Sequence, residues 1–395
     1  MPSCPLFSAR SRRTPVLALS IVVGTLGCRE DPTAPAGQEP EAVLATATTA
    51  LAFYQVSAGE DHSCAVTTDN HAYCWGYNGK GQLGDGTTTD RHTPVAVAVA
   101  GGLRFHSIST GHTDTCGITT DYRAYCWGEN VLGQLGDGTT TQRLRPVPVA
   151  GGHRFRQVDV FFEHACAVSY PDPGRAYCWG WGGDGQLGNG STANHTTPVA
   201  VAGSLLMRQV SVGYFHSCGV TTSNVAYCWG DNGDGELGDS SSVTQRSTPS
   251  RVAGAHQFRT LDAGAYHTCA VTTGNRAFCW GYGRGGQLGN GKAYLSFWPR
   301  AVAGGLSFAR VSAGLYQSCG ETTTNRPYCW GGMNRLTPVA VPGNFFFNQV
   351  SAGGTHACGK TAASEAYCWG GNFSGELGDG TTTASSTPVR VAGAM

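Results

Sequence analysis

The chain has 395 residues, with 26 Lys and Arg against 26 Asp and Glu, so its formal net charge at neutral pH is zero. A balanced charge without a basic tail excludes the electrostatic footprint expected of a nucleic-acid-binding protein. Only 13% of the residues are charged, and the 58 glycines indicate many tight turns.

Residues 1–27 have the pattern of an export signal, with three arginines followed by an apolar stretch over 14–27. This stretch is too short to span a bilayer as a stable helix. It ends at Gly24-Thr25-Leu26-Gly27-Cys28, which resembles a bacterial lipoprotein signal with Cys28 as the lipidated residue, although Thr25 stands where leucine is usual. The alternative is an ordinary secretory signal that is cleaved nearby.

Residues 28–50 are rich in proline, alanine and glutamate and show no pattern of core residues. Such a composition is typical of a disordered spacer. We expect this tether to hold the folded domain, residues 51–395, away from a membrane to which Cys28 is anchored by lipid.

The tetrapeptide Tyr-Cys-Trp-Gly, once with Phe in place of Tyr, occurs seven times in the rest of the chain. The copies begin at Tyr73, Tyr125, Tyr177, Tyr227, Phe278, Tyr328 and Tyr367, which are 52, 52, 50, 51, 50 and 39 residues apart. A fixed period in this range is typical of a solenoid or a propeller.

Each repeat contains four short segments with strand character. In the first repeat these are residues 53–57, 62–67, 72–75 and 93–97, which are rich in β-branched and aromatic residues and bounded by Gly, Asn, Asp and Pro. Four antiparallel strands in a period of about 50 residues describe one propeller blade. The sequence therefore predicts an all-β fold, a seven-bladed β-propeller of four-stranded antiparallel blades.

The repeat resembles that of the regulator of chromosome condensation family. The residues that carry the resemblance are Gly59-Glu60-Asp61-His62-Ser63-Cys64-Ala65-Val66-Thr67 and Tyr73-Cys74-Trp75-Gly76-Tyr77-Asn78-Gly79-Lys80-Gly81-Gln82-Leu83-Gly84, and equivalents occur in all seven repeats. The resemblance implies a seven-bladed propeller that is closed by pairing between the first and last strands of the chain.

Two cysteines per repeat depart from the usual pattern of that family. They form seven pairs: Cys64 and Cys74, Cys116 and Cys126, Cys166 and Cys178, Cys218 and Cys228, Cys269 and Cys279, Cys319 and Cys329, and Cys358 and Cys368. A hairpin of the two central strands places each pair directly opposite, within reach of a disulfide. Zinc ligation and free thiols are the alternatives, but zinc needs ligands that converge on one point and these pairs belong to separate blades.

Two recurring polar positions invite interpretation as metal sites. Histidine recurs as His62, His164, His216, His267 and His356, with Asp114 and Gln317 in the other two repeats, and we interpret it as a structural residue that ties a turn to backbone. The Leu-Gly-Asp and Leu-Gly-Asn turns, such as that at Asp85, suggest calcium, but they are also favoured turn sequences. We expect no metal and no cofactor.

Strand parity predicts a candidate binding face. In a four-stranded antiparallel blade, the first–second and third–fourth connections emerge at the same end. Large aromatic residues occupy these connections in repeats three to six and are predicted to contact the partner: Phe162, Trp181, Tyr214, Phe215, Tyr266, Tyr282 and Tyr316. The alternative is that they only pack against neighbouring loops. The short sixth repeat predicts a notch in blade six beside Tyr316.

No nucleophile elbow, P-loop, His-Glu-x-x-His motif or dinucleotide fingerprint occurs in the sequence, so an enzyme is not expected. The predicted function is a monomeric, lipid-anchored scaffold that binds a protein or a glycan of the bacterial cell envelope, and no nucleic acid. One alternative, implied by family resemblance, is a guanine-nucleotide-exchange-factor-like regulator of a small GTPase. Another is a hydrolase or lyase with an unrecognised site on a propeller face.

Overall fold

The computed structural model describes residues 50–171, 174–332 and 335–393. The export signal, Cys28 and the tether up to residue 49 lie outside the described residues, so these assignments stay predictions. No helix in the described part of the chain has the length and apolar character needed to cross a membrane.

The described residues form 28 strands in seven blades, with one short 3₁₀ turn at Ala100–Gly102. Each blade consists of four consecutive antiparallel strands, which confirms the predicted fold. Blade 1 contains β1 (Phe53–Ala58), β2 (His62–Thr67), β3 (Ala72–Gly76) and β4 (Arg91–Ala96); blade 2, β5 (Phe105–Thr110), β6 (Asp114–Thr119), β7 (Ala124–Gly128) and β8 (Arg143–Pro148); blade 3, β9 (Phe155–Val160), β10 (His164–Ser169), β11 (Gly174–Gly180) and β12 (His195–Ala200); blade 4, β13 (Leu206–Val212), β14 (His216–Thr221), β15 (Ala226–Asp231) and β16 (Gln245–Arg251); blade 5, β17 (Phe258–Ala263), β18 (His267–Thr272), β19 (Ala277–Gly281) and β20 (Ser296–Ala301); blade 6, β21 (Phe308–Ala313), β22 (Gln317–Thr322), β23 (Pro327–Gly331) and β24 (Arg335–Ala340); blade 7, β25 (Gln349–Ala352), β26 (His356–Lys360), β27 (Ala366–Gly370) and β28 (Ser385–Arg390).

The two central strands of each blade form the hairpin that the cysteine pattern predicts. In blade 1 the turn places Asn70 at φ 66°, a left-handed conformation that asparagine tolerates. Cys64 then lies directly opposite Cys74, with their Cα atoms 4.0 Å apart.

All seven predicted disulfides are present, and each lies within one blade. The bonds join Cys64 to Cys74, Cys116 to Cys126, Cys166 to Cys178, Cys218 to Cys228, Cys269 to Cys279, Cys319 to Cys329 and Cys358 to Cys368. The third hairpin has a longer connection than the others, yet its two cysteines still face each other in the strand register. Such bonds are typical of an oxidising, extracellular environment.

The first strand of every blade lines a central channel, and the fourth strand lies at the exposed rim. Seven side chains in the channel join the blades into a ring. The oxygen of each accepts a hydrogen bond from a backbone amide nitrogen of the next blade, at 2.8–3.2 Å. These residues are Ser57, Ser109, Asp159, Ser211, Asp262, Ser312 and Ser351. Burial, followed by repulsion from Asp159, raises the pKa of Asp262 to about 7.

Among the described residues, the first strand β1 and the last strand β28 do not pair with each other, which differs from the closure that the family resemblance implied. Each blade takes its strands from one continuous stretch of chain, and β1 and β28 pair only within their own blades. Blades 1 and 7 are joined by separate hydrogen bonds, among them one from the Leu51 amide to the Gly393 carbonyl and one from the Phe53 amide to the Ser364 carbonyl at 2.8 Å. Blades 3 and 4 are further linked, because β11 begins two residues earlier than its equivalents and pairs with β13.

A second contact between blades involves the loop that joins the third and fourth strands. The carbonyl of the Gln or Glu in the Gly-Gln/Glu-Leu-Gly stretch accepts the tryptophan indole N–H of the next blade, as from Trp127 to Gln82 at 2.8 Å. The same contact, at 2.8–2.9 Å, is made by Trp75, Trp179, Trp229, Trp280 and Trp330. A Cβ on Gly84 would lie 2.6 Å from the Trp127 indole nitrogen, which explains the glycine after leucine.

The recurring histidines are structural, but the contact differs from the prediction. Each Nε2 lies 2.7–2.9 Å from a Ser or Thr hydroxyl of the next blade, not from the backbone of a turn. The hydroxyl in turn donates a hydrogen bond to the same loop carbonyl that accepts the tryptophan indole N–H. In the two blades where Asp114 and Gln317 replace histidine, the next blade has Ala165 and Ala357 in place of the hydroxyl residue. Histidine and hydroxyl therefore occur together at five of the seven blade boundaries and are absent together from the other two.

Removal of one disulfide should destabilise the propeller, because the unfolded chain gains conformational entropy. The change Cys218→Ala with Cys228→Ala opens a loop of about 11 residues, and on the chain-entropy model this costs about 2.5–3 kcal/mol. Denaturant unfolding of the oxidised variant against the wild type measures the loss. Peptide mapping without reductant should show seven links within repeats, and links between blades would contradict the assignment.

Protonation of the buried histidines should unfold the protein in acid. Burial, followed by repulsion from His164 and His267, lowers the pKa of His216 to about 3. The stability of the neutral ring is therefore present above pH 6.5, the unfolded value, and is lost as the pH falls towards 3. We expect His216→Gln to reduce the slope of unfolding free energy against pH by up to about 1.4 kcal/mol per pH unit in that window. The exposed His106→Gln is the matched control, and an equal change in both variants would contradict the explanation.

Candidate functional site

The first–second turns and third–fourth loops lie at the same end of the propeller, which we call the loop face. In every blade, a backbone amide just after the Trp-Gly of β3 or its equivalent donates to a carbonyl of the first–second turn. Examples are Tyr77 to Asp61 at 2.9 Å and Tyr282 to Tyr266 at 2.8 Å. The common end of the turns and loops, predicted from strand parity, is therefore confirmed.

Six of the seven predicted aromatic residues are linked by ring contacts on this face. The Phe162 and Tyr214 rings lie 4.6 Å apart, the Tyr214 and Tyr266 rings 5.3 Å, and the Trp181 and Phe215 rings 5.4 Å. Tyr282 joins the series through Tyr266 at 6.5 Å. These contacts form a continuous aromatic surface across blades 3, 4 and 5, close to the mouth of the channel.

The aromatic residues differ in burial. Tyr214 is only 8% exposed and packs on Phe161, a buried residue of blade 3 that the sequence argument did not select. Phe162, Trp181, Phe215, Tyr266 and Tyr282 are half-buried. Tyr316 is 54% exposed and is separate from the series of ring contacts. The accessible surface therefore consists of the five half-buried residues and Tyr316, with Tyr214 beneath them.

Tyr214 also connects opposite sides of the ring. Its hydroxyl in blade 4 donates a hydrogen bond to the Glu60 carboxylate in blade 1. Burial, followed by this bond, raises the pKa of the Tyr214 hydroxyl, so it stays protonated as a donor. The contact crosses the mouth of the channel and positions the aromatic surface relative to blade 1.

Carboxyl groups surround the aromatic surface, a feature that the balanced net charge conceals. Burial raises the pKa of Asp61, Glu163, Asp184, Asp234 and Glu376 in turns or loops of this face, and that of Asp231 at the end of β15. Repulsion between neighbours adds to the shift, as between Asp231 and Asp184. A cationic group placed beside these carboxyl groups would relieve that repulsion.

Two further features of the loop face bear on ligands. Glu60, Asp61 and His112 place one potential ligand atom each within 4.8 Å of one another, and they are the residues among those described that could hold a metal ion. The carboxylate of Asp85, whose turn suggested calcium, is instead engaged by neighbouring groups of the protein. It forms an ion pair with Arg91 at 2.7 Å and accepts a hydrogen bond from the Thr87 amide at 2.9 Å.

In blade six, the shortened loop leaves a cavity of about 350 Å³ beside Tyr316.

The chain resembles known proteins in its repeats, in part of its sequence and in its fold. The Regulator of chromosome condensation (RCC1) repeat matches residues 53–82, 69–118, 122–168, 173–220, 207–236, 224–271, 258–287 and 347–376, together more than half of the chain.

Two curated relatives match part of the sequence. The ultraviolet-B receptor UVR8 of Arabidopsis thaliana is 33% identical over 251 residues, which are 62% of this chain and 57% of the receptor. The E3 ubiquitin-protein ligase HERC2 of Homo sapiens is 29% identical over 258 residues, which are 64% of this chain but 5% of the ligase. The chain thus spans little more than half of the first relative and a small part of the second.

The crystal structure of Kap60 bound to yeast RCC1 (Prp20) contains a chain that superposes with a TM-score of 0.71 at 18% identity, covering 88% of this chain and 86% of that one. At this identity the similarity demonstrates the shared propeller fold. The repeat matches and the fold together show that the chain belongs to the regulator of chromosome condensation (RCC1) repeat family.

Proposed function

We propose that this chain is an exported, non-enzymatic scaffold that binds a protein or a glycan of the cell envelope through its loop face. The observation that carries the proposal is the continuous aromatic surface formed by Phe162, Trp181, Phe215 and Tyr266 over the buried Tyr214. Half-exposed aromatic side chains on a rigid support offer large contact area at small entropic cost, and they dominate binding hot spots.

Export is supported by the covalent chemistry of the chain. Seven hairpin disulfides suit an oxidising compartment, and a reducing cytoplasm would not maintain them. The same argument works against a regulator of a cytoplasmic or nuclear GTPase. Lipid attachment at Cys28 belongs to this proposal and would hold the propeller at a membrane surface.

A group of carboxyl side chains on the loop face favours one class of partner. Asp184, Asp231 and Asp234 lie in neighbouring loops, and each has a raised pKa. Glu236 is more deeply buried, and burial followed by repulsion from Asp231 raises its pKa to about 8. Lysine or arginine side chains of a partner, or another cationic group, would complement the carboxyl groups of blades 3 and 4.

Alanine substitutions should distinguish the buried Tyr214, which stabilises the fold, from the exposed Tyr316, which is available to a partner. Tyr214→Ala removes a buried ring and its bond to Glu60, and we expect it to cost about 3 kcal/mol of unfolding free energy. Tyr316→Ala removes an exposed ring and should change that free energy by less than about 0.5 kcal/mol. Denaturant unfolding measures both, and equal effects would show that the assigned burial is wrong.

Partner capture should depend on the half-buried aromatic residues. Envelope extracts are passed over immobilised full-length chain, either wild type or with Phe215→Ala and Tyr266→Ala. Loss of a true hot spot should weaken binding by about 2 kcal/mol or more. Prior treatment of the extract with protease or with glycosidase distinguishes a protein partner from a glycan.

Tyr54→Ala is the matched control, because Tyr54 is 53% exposed but lies at the start of β1, the end of the strand opposite the loop face. It should leave capture unchanged. If Tyr54→Ala reduces capture as strongly as the loop-face variant, or if the loop-face variant captures normally, the proposed binding face is wrong.

A further inference from the structure

Six blades contain an apolar side chain that the seventh junction lacks. The leucine of each Gly-Gln/Glu-Leu-Gly loop is fully buried at the boundary with the next blade: Leu83, Leu135, Leu187, Leu237, Leu288 and Leu377. Leu83, for example, packs on Cys64 and Cys74 of its own blade and on Trp127 of blade 2. The residue before it supplies the carbonyl that accepts the Trp127 indole. Each loop therefore provides both a side chain and an acceptor to its neighbour.

The described residues of blade 6 provide neither, because only three residues separate Gly331 from the start of β24 at Arg335. Trp369 of blade 7 consequently has no hydrogen-bond acceptor among the described residues. Its ring is 7% exposed, whereas the six equivalent tryptophans are 0% exposed. Ala357 also replaces the hydroxyl residue that would share the acceptor.

The space left by the loop is the cavity of about 350 Å³ noted beside Tyr316. Its lining is mostly apolar and includes Cys329, Val341 and Trp369, together with Tyr316 and Gly332 of the loop face. Among the described lining residues, the only charged side chain is that of Arg335, which is exposed. The cavity thus combines an apolar interior, an unpaired indole donor and one positive charge.

We propose that this cavity binds a leucine-bearing peptide segment of a partner protein. The leucine side chain occupies the position that Leu83 and its equivalents occupy in the other blades, and the carbonyl of the preceding residue accepts the Trp369 indole N–H. Arg335 favours an acidic residue in that segment, and Glu236 and Glu376 precede leucine in two of the six internal loops. The inference rests on the proposed function, because it places a protein partner on the same face.

The six internal loops justify this choice of occupant. They show that a Gln-Leu or Glu-Leu pair fills the equivalent space and satisfies the equivalent indole in this same fold. A saccharide is a poor match for the cavity, since its hydroxyl groups would lose water without gaining enough partners in an apolar lining. The leucine side chain of a peptide has no polar group to desolvate, so its transfer from water into the cavity is favourable.

The test uses a peptide with the sequence of residues 233–240, Gly-Asp-Gly-Glu-Leu-Gly-Asp-Ser, capped at both ends, and a matched peptide with alanine in place of leucine. The full chain has nine tryptophans, and their indole N–H resonances are recorded by ¹H–¹⁵N NMR, with Trp369→Phe assigning the one of interest. We expect the leucine peptide to shift the Trp369 resonance and the alanine peptide to bind about tenfold or more weakly. No shift at millimolar peptide, or equal binding of both peptides, would overturn the proposal.

Two variants of the chain test the cavity in different ways. Replacing residues 332–334 with the equivalent loop of blade 4, residues 231–245, should fill the cavity, raise the melting temperature and abolish peptide binding. Trp369→Phe removes the indole donor but keeps an aromatic ring, and it should weaken binding of the peptide about fivefold, measured by calorimetry. Unchanged affinity in Trp369→Phe would count against the assigned hydrogen bond and overturn the proposal.

The outcome can be separated from that of the proposed function. Phe215→Ala with Tyr266→Ala should leave peptide binding unchanged, because neither residue lines the cavity. If the peptide fails to bind while partner capture still depends on those aromatic residues, the cavity assignment fails and the loop-face function stands. If the peptide binds but capture is unaffected by either set of changes, the loop-face function fails.

Discussion

The propeller depends on one hydrogen bond that recurs between neighbouring blades: a buried tryptophan indole donates to the loop carbonyl of the preceding blade. A buried N–H without an acceptor is costly, so each indole fixes the position of a loop. The leucine beside that carbonyl is fixed at the same time and fills the boundary between blades. The core and the loop face are therefore coupled, since the segments that present side chains to solvent also complete the packing.

Polar contacts between blades add specificity to this apolar packing. Histidine and a Ser or Thr hydroxyl meet across five boundaries, and both are absent from the other two, which contain Asp114 with Ala165 and Gln317 with Ala357. In the channel, a second ring of side chains binds the backbone amides of the next blade. The disulfides act within blades, and the hydrogen bonds act between them. Reduction and acid should therefore weaken different parts of the same structure.

The loop face combines rigidity with chemistry suited to recognition. The bond between Tyr214 and Glu60 joins opposite sides of the ring, and the aromatic surface lies on this support. Carboxyl groups with raised pKa values surround it, although the chain as a whole has no net charge. Beside it, the cavity of blade six is the one place among the described residues where the internal packing lacks its usual occupant. A partner that uses both features would contact a preformed surface and would need little rearrangement of the propeller.

The sequence alone was sufficient for the features that repeat. The period of Tyr-Cys-Trp-Gly predicted the blades, and the register of two cysteines on facing strands predicted the disulfides, because both depend on local strand geometry. The common end of the turns and loops followed from strand parity. Features that depend on neighbouring blades were decided by the tertiary structure: the histidine partner, the closure of the ring and the burial of Tyr214. The correlation of histidine with a hydroxyl residue about 50 positions later was present in the sequence, but its meaning required adjacent blades. The charge of the loop face and the lining of the cavity arise from residues far apart in the chain, so only the packing of the blades brings them together.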